Sequence, residues 1–175
     1  ANDAVKTLNH VHIRGRMEMI NSNTHGTIYV DYAHNYASLK RLLAFLKRQT
    51  NAGKVTVVLG ATGDKGISRR PGFGKALTEE QPDEVILTTD DPGFEDPMTI
   101  AREIDSYIDH DKVKHIQFEM DRETAIKKAI DGSENDDIVV LAGKGEDPYQ
   151  KVNGEDVPYP TDVKIARDYI NELEK

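Results

Sequence analysis

IVVLAG, residues 138–143, and VTVVLG, residues 55–60, are unbroken apolar runs that each end in glycine. Such runs are typical of strands that helices cover on both faces, because a strand with one exposed face alternates apolar and polar residues. Around them, strand-like segments such as GTIYVDYA alternate with segments of helical periodicity such as NYASLKRLLAFLKRQ. This alternation predicts an α/β fold with a Rossmann-like, doubly wound, mostly parallel sheet and helices on both faces. The segment GRMEMINS could add one antiparallel strand at an edge.

The composition is that of one globular domain. The 175 residues are 37% hydrophobic and 31% charged, and the formal net charge of −8 disfavours binding to nucleic acid or anionic membranes. The absence of cysteine excludes disulfides, zinc thiolates and thiol catalysis. No apolar run approaches the roughly 18 residues of a membrane-spanning helix, so we expect a cytoplasmic protein without a membrane partner. Because the chain opens with Ala1 rather than Met, we expect it to be part of a longer protein.

Four loops rich in glycine and charge follow the predicted strands: DYAHNY, GATGDKGISRRP, TTDDPGFED and GKGEDPYQ. Any one of them alone could be a solvated turn. In a parallel sheet, however, ligands bind beyond the carboxyl ends of the strands, so the four loops together predict one site. None of them has the Walker phosphate-loop pattern, and the first strand is not followed by GxGxxG. The chain therefore has no phosphate loop of its own.

The charges of these loops fall into a basic and an acidic group. The basic residues are Lys65, Arg69 and Arg70. The acidic residues of the last two loops are Asp90, Asp91, Glu95, Asp96, Glu146 and Asp147. A site with both signs of charge suits a zwitterion such as an amino acid. We expect Glu146 and Asp147, which follow a Gly-Lys-Gly turn, to attract an ammonium group rather than a phosphate.

The ordered set GRMEM, VDYAHN, GATGDKGISRRP, TTDDPGFEDP, DRETAI and LAGKGEDPYQ resembles the C-terminal domain of the Mur ligases. The resemblance is greatest to the members that add the third residue of the peptide. It implies a linker from a central ATPase domain over residues 1–15 and the C-terminal, amino-acid-binding domain over residues 16–175.

In that family, as the resemblance implies, the N-terminal domain binds the UDP-sugar and the central domain binds ATP with Mg²⁺. The substrate carboxylate becomes an acyl phosphate, which the amine of the incoming amino acid attacks to form an amide. The implied partners are UDP-MurNAc-L-Ala-D-Glu, a diamino acid, and the N-terminal and central domains of the same chain. The isolated domain is expected to be inactive, with no catalytic nucleophile or metal ligand of its own.

The resemblance also assigns residues to the nucleotide. Arg16 in GRME matches a hinge arginine that reaches ATP when the domains close, and its planar fork suits that contact. Asp31 in DYAH matches an acid that contacts the ribose. His34 belongs to the same tetrad, where either a nucleotide contact or a structural role is open.

The amino-acid site is assigned in the same way. Lys65 falls where the diaminopimelate-adding members carry an arginine that holds the carboxylate of the amino acid. Gly143 and Asp147 match the GKGHE positions that bind the end of its side chain, and Glu146 replaces the histidine. The remaining predicted contacts are Asp90, Asp91 and Pro92 of the third loop.

The third loop predicts which amino acid is added. Diaminopimelate-adding members carry DNPR, whose arginine holds a second carboxylate, whereas this chain has DDPG with Gly93 at the arginine position. A carboxylate left unpaired beside Asp90 and Asp91 would be unfavourable, and an ammonium would be favourable. We therefore predict L-lysine as the added amino acid, with ornithine or another diamino acid as the next choice.

Two alternative functions remain open for the chain. They are a folylpolyglutamate synthetase-like C-terminal domain and a freestanding amino-acid- or nucleotide-binding module.

Overall fold

A six-stranded sheet forms the centre of the molecule, and the computed structural model describes residues 17–50 and 53–175. Its strands are β1 (Glu18–Ile20), β2 (Thr27–Asp31), β3 (Val55–Leu59), β4 (Glu84–Leu87), β5 (Ile116–Phe118) and β6 (Ile138–Ala142). The strand order is β1-β2-β6-β3-β4-β5, and every neighbouring pair is parallel except β1 with β2. The mostly parallel sheet and its antiparallel edge strand, β1, confirm the predicted fold class. The predicted linker, residues 1–15, and Arg16 lie outside the described residues.

Helices cover both faces of this sheet. They are α1 (Tyr36–Lys47), α2 (Arg70–Glu80), α3 (Pro97–Ser106), α4 (Arg122–Asp131) and α5 (Asp162–Leu173). The first three pack on one face and the last two on the other. Neighbouring residues of β3 therefore enter different cores: Val57 packs with the first three helices and Val58 with the last two. Every residue of β3 and β6 is buried, which is the reason for their unbroken apolar sequences. Within the described ranges, no helix has the length and apolar character needed to cross a bilayer.

A small hairpin of β7 (Tyr149–Val152) and β8 (Glu155–Pro158) follows β6 and was not predicted. Its two-residue turn is Asn153-Gly154, with φ of 52° and 79°. Asn-Gly is the preferred pair for such left-handed hairpin turns, so the sequence contained the signal. The hairpin is bound to the loop after β4, because the Gly93 N–H donates to the Lys151 carbonyl (2.9 Å) and the Asn153 N–H to the Gly93 carbonyl (2.8 Å).

The loop after β3 is partly helical. A 3₁₀ helix over Asp64–Arg69 leads directly into α2, which continues through two glycines. A Cβ added at Gly72 would lie 2.9 Å from the Cβ of Tyr36, and one at Gly74 would lie 2.4 Å from that of Tyr107. These glycines allow close packing of α2 against its neighbours.

Candidate functional site

The carboxyl ends of the central strands enclose a cleft with a cavity volume of about 90 Å³. It is lined by Tyr32, His34, Gly60, Ala61, Thr62, Arg69, Phe73, Asp90, Asp91, Gly143, Lys144 and Asp147. Five of the predicted contact residues lie together here, namely His34, Asp90, Asp91, Gly143 and Asp147, and Arg69 of the predicted basic group lines the same cleft. The cleft occupies the edge of the sheet at which an α/β fold binds its ligands.

Two glycines form the part of the cleft wall beside Asp90. A Cβ on Gly60 would lie 2.5 Å from the Thr88 carbonyl oxygen and 2.9 Å from the Cβ of Asp90. Gly143 has φ of 101°, and a Cβ there would lie 3.1 Å from Asp90 Oδ2. Glycine at both positions therefore lets the backbone approach the Asp90 carboxylate closely.

Asp90 is a buried carboxylate on the cleft wall, with an exposed fraction of 6%. Burial raises the pKa of its carboxyl to about 6, although the positive charges of Arg122 and Lys144 act in the opposite direction. The group is therefore mostly ionised at neutral pH. Carboxyl groups with a raised pKa that line a cleft are frequent at functional sites.

Lys144 brings a buried ammonium to the acidic side of the cleft. Its Nζ lies 3.0 Å from Asp91 Oδ1 and 3.4 Å from Asp147 Oδ2, and it donates to the Tyr149 carbonyl oxygen. It also lies 5.3 Å from the centre of the Tyr159 ring. The sequence predicts a bound amine beside these acids, whereas in the structure the lysine of the chain itself lies there. Its position between two glycines gave no indication of where the side chain would point.

The loop after β4 is fixed by the hairpin. Asp91 has a left-handed backbone, with φ of 43°. Its Oδ1 accepts the N–H of Lys151 (2.9 Å), and its own N–H donates to Oε1 of Gln150 (2.8 Å). Pro92 follows as a buried residue outside the cleft lining, and its carbonyl accepts the Glu95 N–H (3.1 Å). Both Asp91 and the hairpin are thus parts of one hydrogen-bonded unit.

The loop after β6 is connected to the loop after β2. Gly145 has φ of 58° and lies so close to Tyr32 that an added Cβ would be 2.4 Å from its ring. The N–H of Glu146 donates to the Tyr32 hydroxyl (3.0 Å). The Glu146 side chain is exposed and makes no hydrogen bond or ion pair with the described residues. Of the two acids in GKGED, the structure places Asp147 in the cleft lining and leaves Glu146 outside it.

The three basic residues of the loop after β3 have separate positions. Arg69 lines the cleft, while Lys65 is exposed on the 3₁₀ helix and is absent from the lining. Arg70 is buried and pairs with Glu95 (2.9 Å) and Glu103 (2.6 Å). The charges of Arg70 and Glu95 are therefore paired with each other and do not act as free charges in the cleft.

A second, larger groove of about 590 Å³ lies beside the first and shares Tyr32 and His34 with it. It is lined by Met17, Asp31, Tyr32, Ala33, His34, Ser38, Arg41, Leu42, Phe45 and Arg48. Asp31 Oδ1 accepts the Ala33 N–H (2.8 Å), and the His34 Nδ1 is 3.1 Å from the Tyr32 carbonyl oxygen. Of the three residues predicted to contact nucleotide, Asp31 and His34 thus border the same groove, and Arg16 lies outside the described residues.

Beneath the cleft, Arg122 and Asp162 form a buried ion pair that the sequence analysis did not identify. Arg122 Nε and Nη2 donate to the two carboxylate oxygens of Asp162 at 2.9 and 2.7 Å. The same guanidinium donates to the carbonyls of Thr89 (3.1 Å) and Ala142 (3.2 Å). This bidentate pair joins the ends of β4 and β6 to the start of α5.

Comparison with known proteins identifies the family. The profile of the Mur ligase, glutamate ligase domain matches residues 15–145. The chain belongs to the Mur ligase family. A UDP-N-acetylmuramyl-tripeptide synthetase from Limosilactobacillus reuteri is 99% identical over 175 residues, which is 100% of this chain and 34% of that protein. An Enterococcus faecalis UDP-N-acetylmuramoyl-L-alanyl-D-glutamate–L-lysine ligase is 48% identical over 160 residues, covering 91% of this chain and 31% of that protein.

The chain of this Mur ligase spans about a third of the length of these curated relatives. A solved structure of a UDP-N-acetylmuramoyl-L-alanyl-D-glutamate–2,6-diaminopimelate ligase matches it with a TM-score of 0.83 at 33% identity, over 94% of this chain and 33% of that one. A folylpolyglutamate synthase from Thermotoga maritima matches with a TM-score of 0.58 at 21% identity, over 82% of this chain and 31% of that one. At that identity the likeness is one of fold alone.

Proposed function

We propose that this chain presents the amino acid in an ATP-dependent Mur ligase that adds L-lysine to UDP-MurNAc-L-Ala-D-Glu in the cytoplasm. Membership of the family and the names of its relatives, a tripeptide synthetase and an L-lysine ligase, support the reaction class. The other two thirds of the full-length protein would supply the domains that bind the UDP-sugar and most of the ATP.

The preference for lysine would be determined by the loop Asp90-Asp91-Pro92-Gly93. Gly93 stands at the position where diaminopimelate-adding members have an arginine, and no cation of this loop replaces it. Asp90, Asp91 and Asp147 surround a single ammonium, that of Lys144, at 3.8, 3.0 and 3.4 Å, so the cluster keeps a net negative charge. A side chain ending in an ammonium gains from that charge, whereas a second carboxylate would be repelled.

A basic residue of the cleft lining would hold the α-carboxylate of the amino acid. Arg69 lines the cleft and offers the planar fork that suits a carboxylate. We therefore assign the main contact to Arg69 and place the predicted Lys65 contact at the rim. Gly143 would provide close backbone approach in the middle of the cleft, and Asp147 with Asp90 would face the side-chain ammonium.

The groove beside Asp31 and His34 has the chemistry that a nucleoside requires. Leu42 and Phe45 offer an apolar surface to a base, and the Asp31 carboxylate can accept hydrogen bonds from ribose hydroxyls. We propose that Asp31 and His34, with Arg16, contact ATP that is bound mainly by the central domain. When bound, ATP supplies the phosphoryl group that activates the substrate carboxylate, and Mg²⁺ screens its phosphates.

The full-length ligase tests this proposal directly. It is assayed with ATP and UDP-MurNAc-L-Ala-D-Glu, and L-lysine, L-ornithine, meso-diaminopimelate or L-glutamate is supplied in turn. We expect phosphate release and amide product with the highest kcat/KM for L-lysine, and no product from residues 1–175 alone. Failure with every amino acid, together with glutamate addition to a folate, would replace this function by that of a folylpolyglutamate synthetase.

A further inference from the structure

Lys144 connects the loop after β4 with the stretch that runs from the loop after β6 into the hairpin. Its ammonium contacts Asp91 in the loop after β4, Asp147 in the loop after β6 and the carbonyl of Tyr149 at the start of the hairpin. The lysine side chain is fully buried, while the side chains of Asp91 and Asp147 are 17% and 39% exposed. One buried cation therefore joins its own loop and the hairpin that follows it to the loop after β4, which is 53 residues away in sequence.

The partners of Lys144 depend on it electrostatically. Without the ammonium, Asp90, Asp91 and Asp147 would form a cluster of like charges beside the cleft, and carboxylates so placed repel one another. Removing one member of a buried ion cluster leaves the others uncompensated. Asp91 would be affected first, because its left-handed backbone, with φ of 43°, is an uncommon conformation for a residue other than glycine.

Asp90 is held differently from its neighbour Asp91. The Lys144 ammonium lies 3.8 Å from Asp90 Oδ1, beyond hydrogen-bonding distance, although it lies 3.0 Å from Asp91. The Asp90 carboxylate makes no hydrogen bond to any described residue. Lys144 thus donates hydrogen bonds to Asp91 and Asp147. The Asp90 carboxylate can still accept hydrogen bonds from a ligand.

We propose that Lys144 is a positioning residue that fixes the two loops and the hairpin so that the Asp90 carboxylate faces the side-chain ammonium of the incoming amino acid. The inference rests on the proposed function, since it concerns the same site. It assigns to Lys144 an effect on binding of the amino acid, and none on binding of ATP or of the UDP-sugar substrate.

Lys144→Met in the full-length ligase tests this role, since methionine keeps the unbranched side chain as far as Cε and removes the ammonium. KM is measured separately for L-lysine, ATP and UDP-MurNAc-L-Ala-D-Glu. We expect KM for L-lysine to rise by about 10-fold or more, which corresponds to at least about 1.4 kcal/mol. The other two KM values should stay within about 2-fold of the wild type.

The separation of KM values distinguishes positioning from a purely structural role. Partial unfolding lowers the active fraction and therefore the apparent kcat, while the folded remainder keeps the wild-type KM for every substrate. A KM for L-lysine within 2-fold of the wild type, or an equal rise in all three KM values, would overturn the proposal. If the wild-type enzyme itself does not use L-lysine, the proposed function fails rather than the role of Lys144.

A conservative variant and a control complete the experiment. Lys144→Arg keeps the charge that the fold needs, but a planar guanidinium cannot place one point charge among three acceptors. We expect a rise of several-fold in KM for L-lysine alone, and an unchanged value would again overturn the proposal. Lys127→Met is the matched control, because it removes an exposed pair with Glu123 (3.1 Å) and a cation–π contact with Tyr169 (5.4 Å) that are not part of the cleft lining. It should leave all three KM values unchanged.

Discussion

Arg122 and Lys144 are both buried cations held by carboxylates, yet they are built for different purposes. Arg122 meets Asp162 in a bidentate pair in which the side chains are 1% and 0% exposed. Lys144 meets Asp91 and Asp147 through single contacts, and both acids are partly exposed at the cleft. The first pair is complete within the protein, whereas the second leaves acceptor capacity and net negative charge for a ligand.

The position of each cation in the fold agrees with this difference. Arg122 also binds the carbonyls of Thr89 and Ala142, so it fixes the strand ends from which the cleft loops start. Lys144 binds the loops themselves. Both cations act on Asp90, because their positive charges lower the pKa of its carboxyl against the effect of burial. We therefore expect changes at Arg122 or its partner to affect stability most, and changes at Lys144 to affect ligand binding most.

The largest effect is expected from Asp162→Ala. It leaves the Arg122 guanidinium buried without its carboxylate, and breaking a buried pair in this way costs about 3–5 kcal/mol. Urea denaturation followed by circular dichroism measures the loss in free energy of unfolding. Asp168→Ala, which removes an exposed partner of Lys164, is the control and should leave the midpoint unchanged. A small effect of Asp162→Ala would mean that the pair is not a structural clamp.

Asp90→Asn is expected to change the pH dependence of stability. Because burial raises the pKa of Asp90 from 3.8 to about 6, the folded state binds this proton more tightly than the unfolded state. Its contribution to stability therefore falls as the pH rises from about 4 to 6, by about 3 kcal/mol in all. When denaturation is compared at pH 4.5 and pH 7.5, the Asp90→Asn variant should gain stability relative to the wild type at the higher pH. An identical pH dependence of the two proteins would contradict the burial of an ionised Asp90.

Lys144→Met should destabilise the chain less than Asp162→Ala. The acids that it leaves behind are partly hydrated, so we expect a loss of about 1–3 kcal/mol, the range for buried groups deprived of one partner. The same urea titration provides the comparison. A loss equal to that of Asp162→Ala would place both cations in the structural framework and remove the distinction drawn between them.

Gly93→Arg is expected to change stability least of these variants. It should also change the preference of the ligase for its amino acid. Gly93 has φ of 62°, and an added Cβ would lie 2.4 Å from Oδ2 of the exposed Asp64 side chain, which can move. The left-handed backbone alone costs roughly 1 kcal/mol for a residue other than glycine. In the full-length ligase, the ratio of kcat/KM for L-lysine to that for meso-diaminopimelate should fall by about 10-fold, the effect of about 1.4 kcal/mol. A ratio equal to that of the wild type would mean that the third loop does not select the amino acid.

The sheet and most of its helices could be predicted because they depend on periodicity. The runs at residues 55–60 and 138–143 are apolar throughout since both faces of β3 and β6 are covered. The hairpin was missed although Asn153-Gly154 indicated it, because the strands on either side are short and exposed and lack an apolar pattern.

The charges of the site were harder to assign, because single residues decide them. Arg69 and Arg70 are adjacent in sequence, yet Arg69 lines the cleft and Arg70 pairs with Glu95 and Glu103. This difference arises where the 3₁₀ helix passes into α2. The contacts of Lys144 depend on the hairpin and on the loop after β4, which are distant in sequence. A pattern of residue types identifies the loops that meet, whereas the pairing of charges within them requires the structure.

We propose that the negative cluster at Asp90, Asp91 and Asp147 selects an amino acid whose side chain ends in an ammonium and carries no second carboxylate. This central claim is tested most directly by competition, in which the full-length wild-type ligase receives equal concentrations of L-lysine and meso-diaminopimelate in one reaction and the products are separated by mass. Incorporation of L-lysine in large excess is the predicted result. Equal incorporation, or an excess of meso-diaminopimelate, would contradict it.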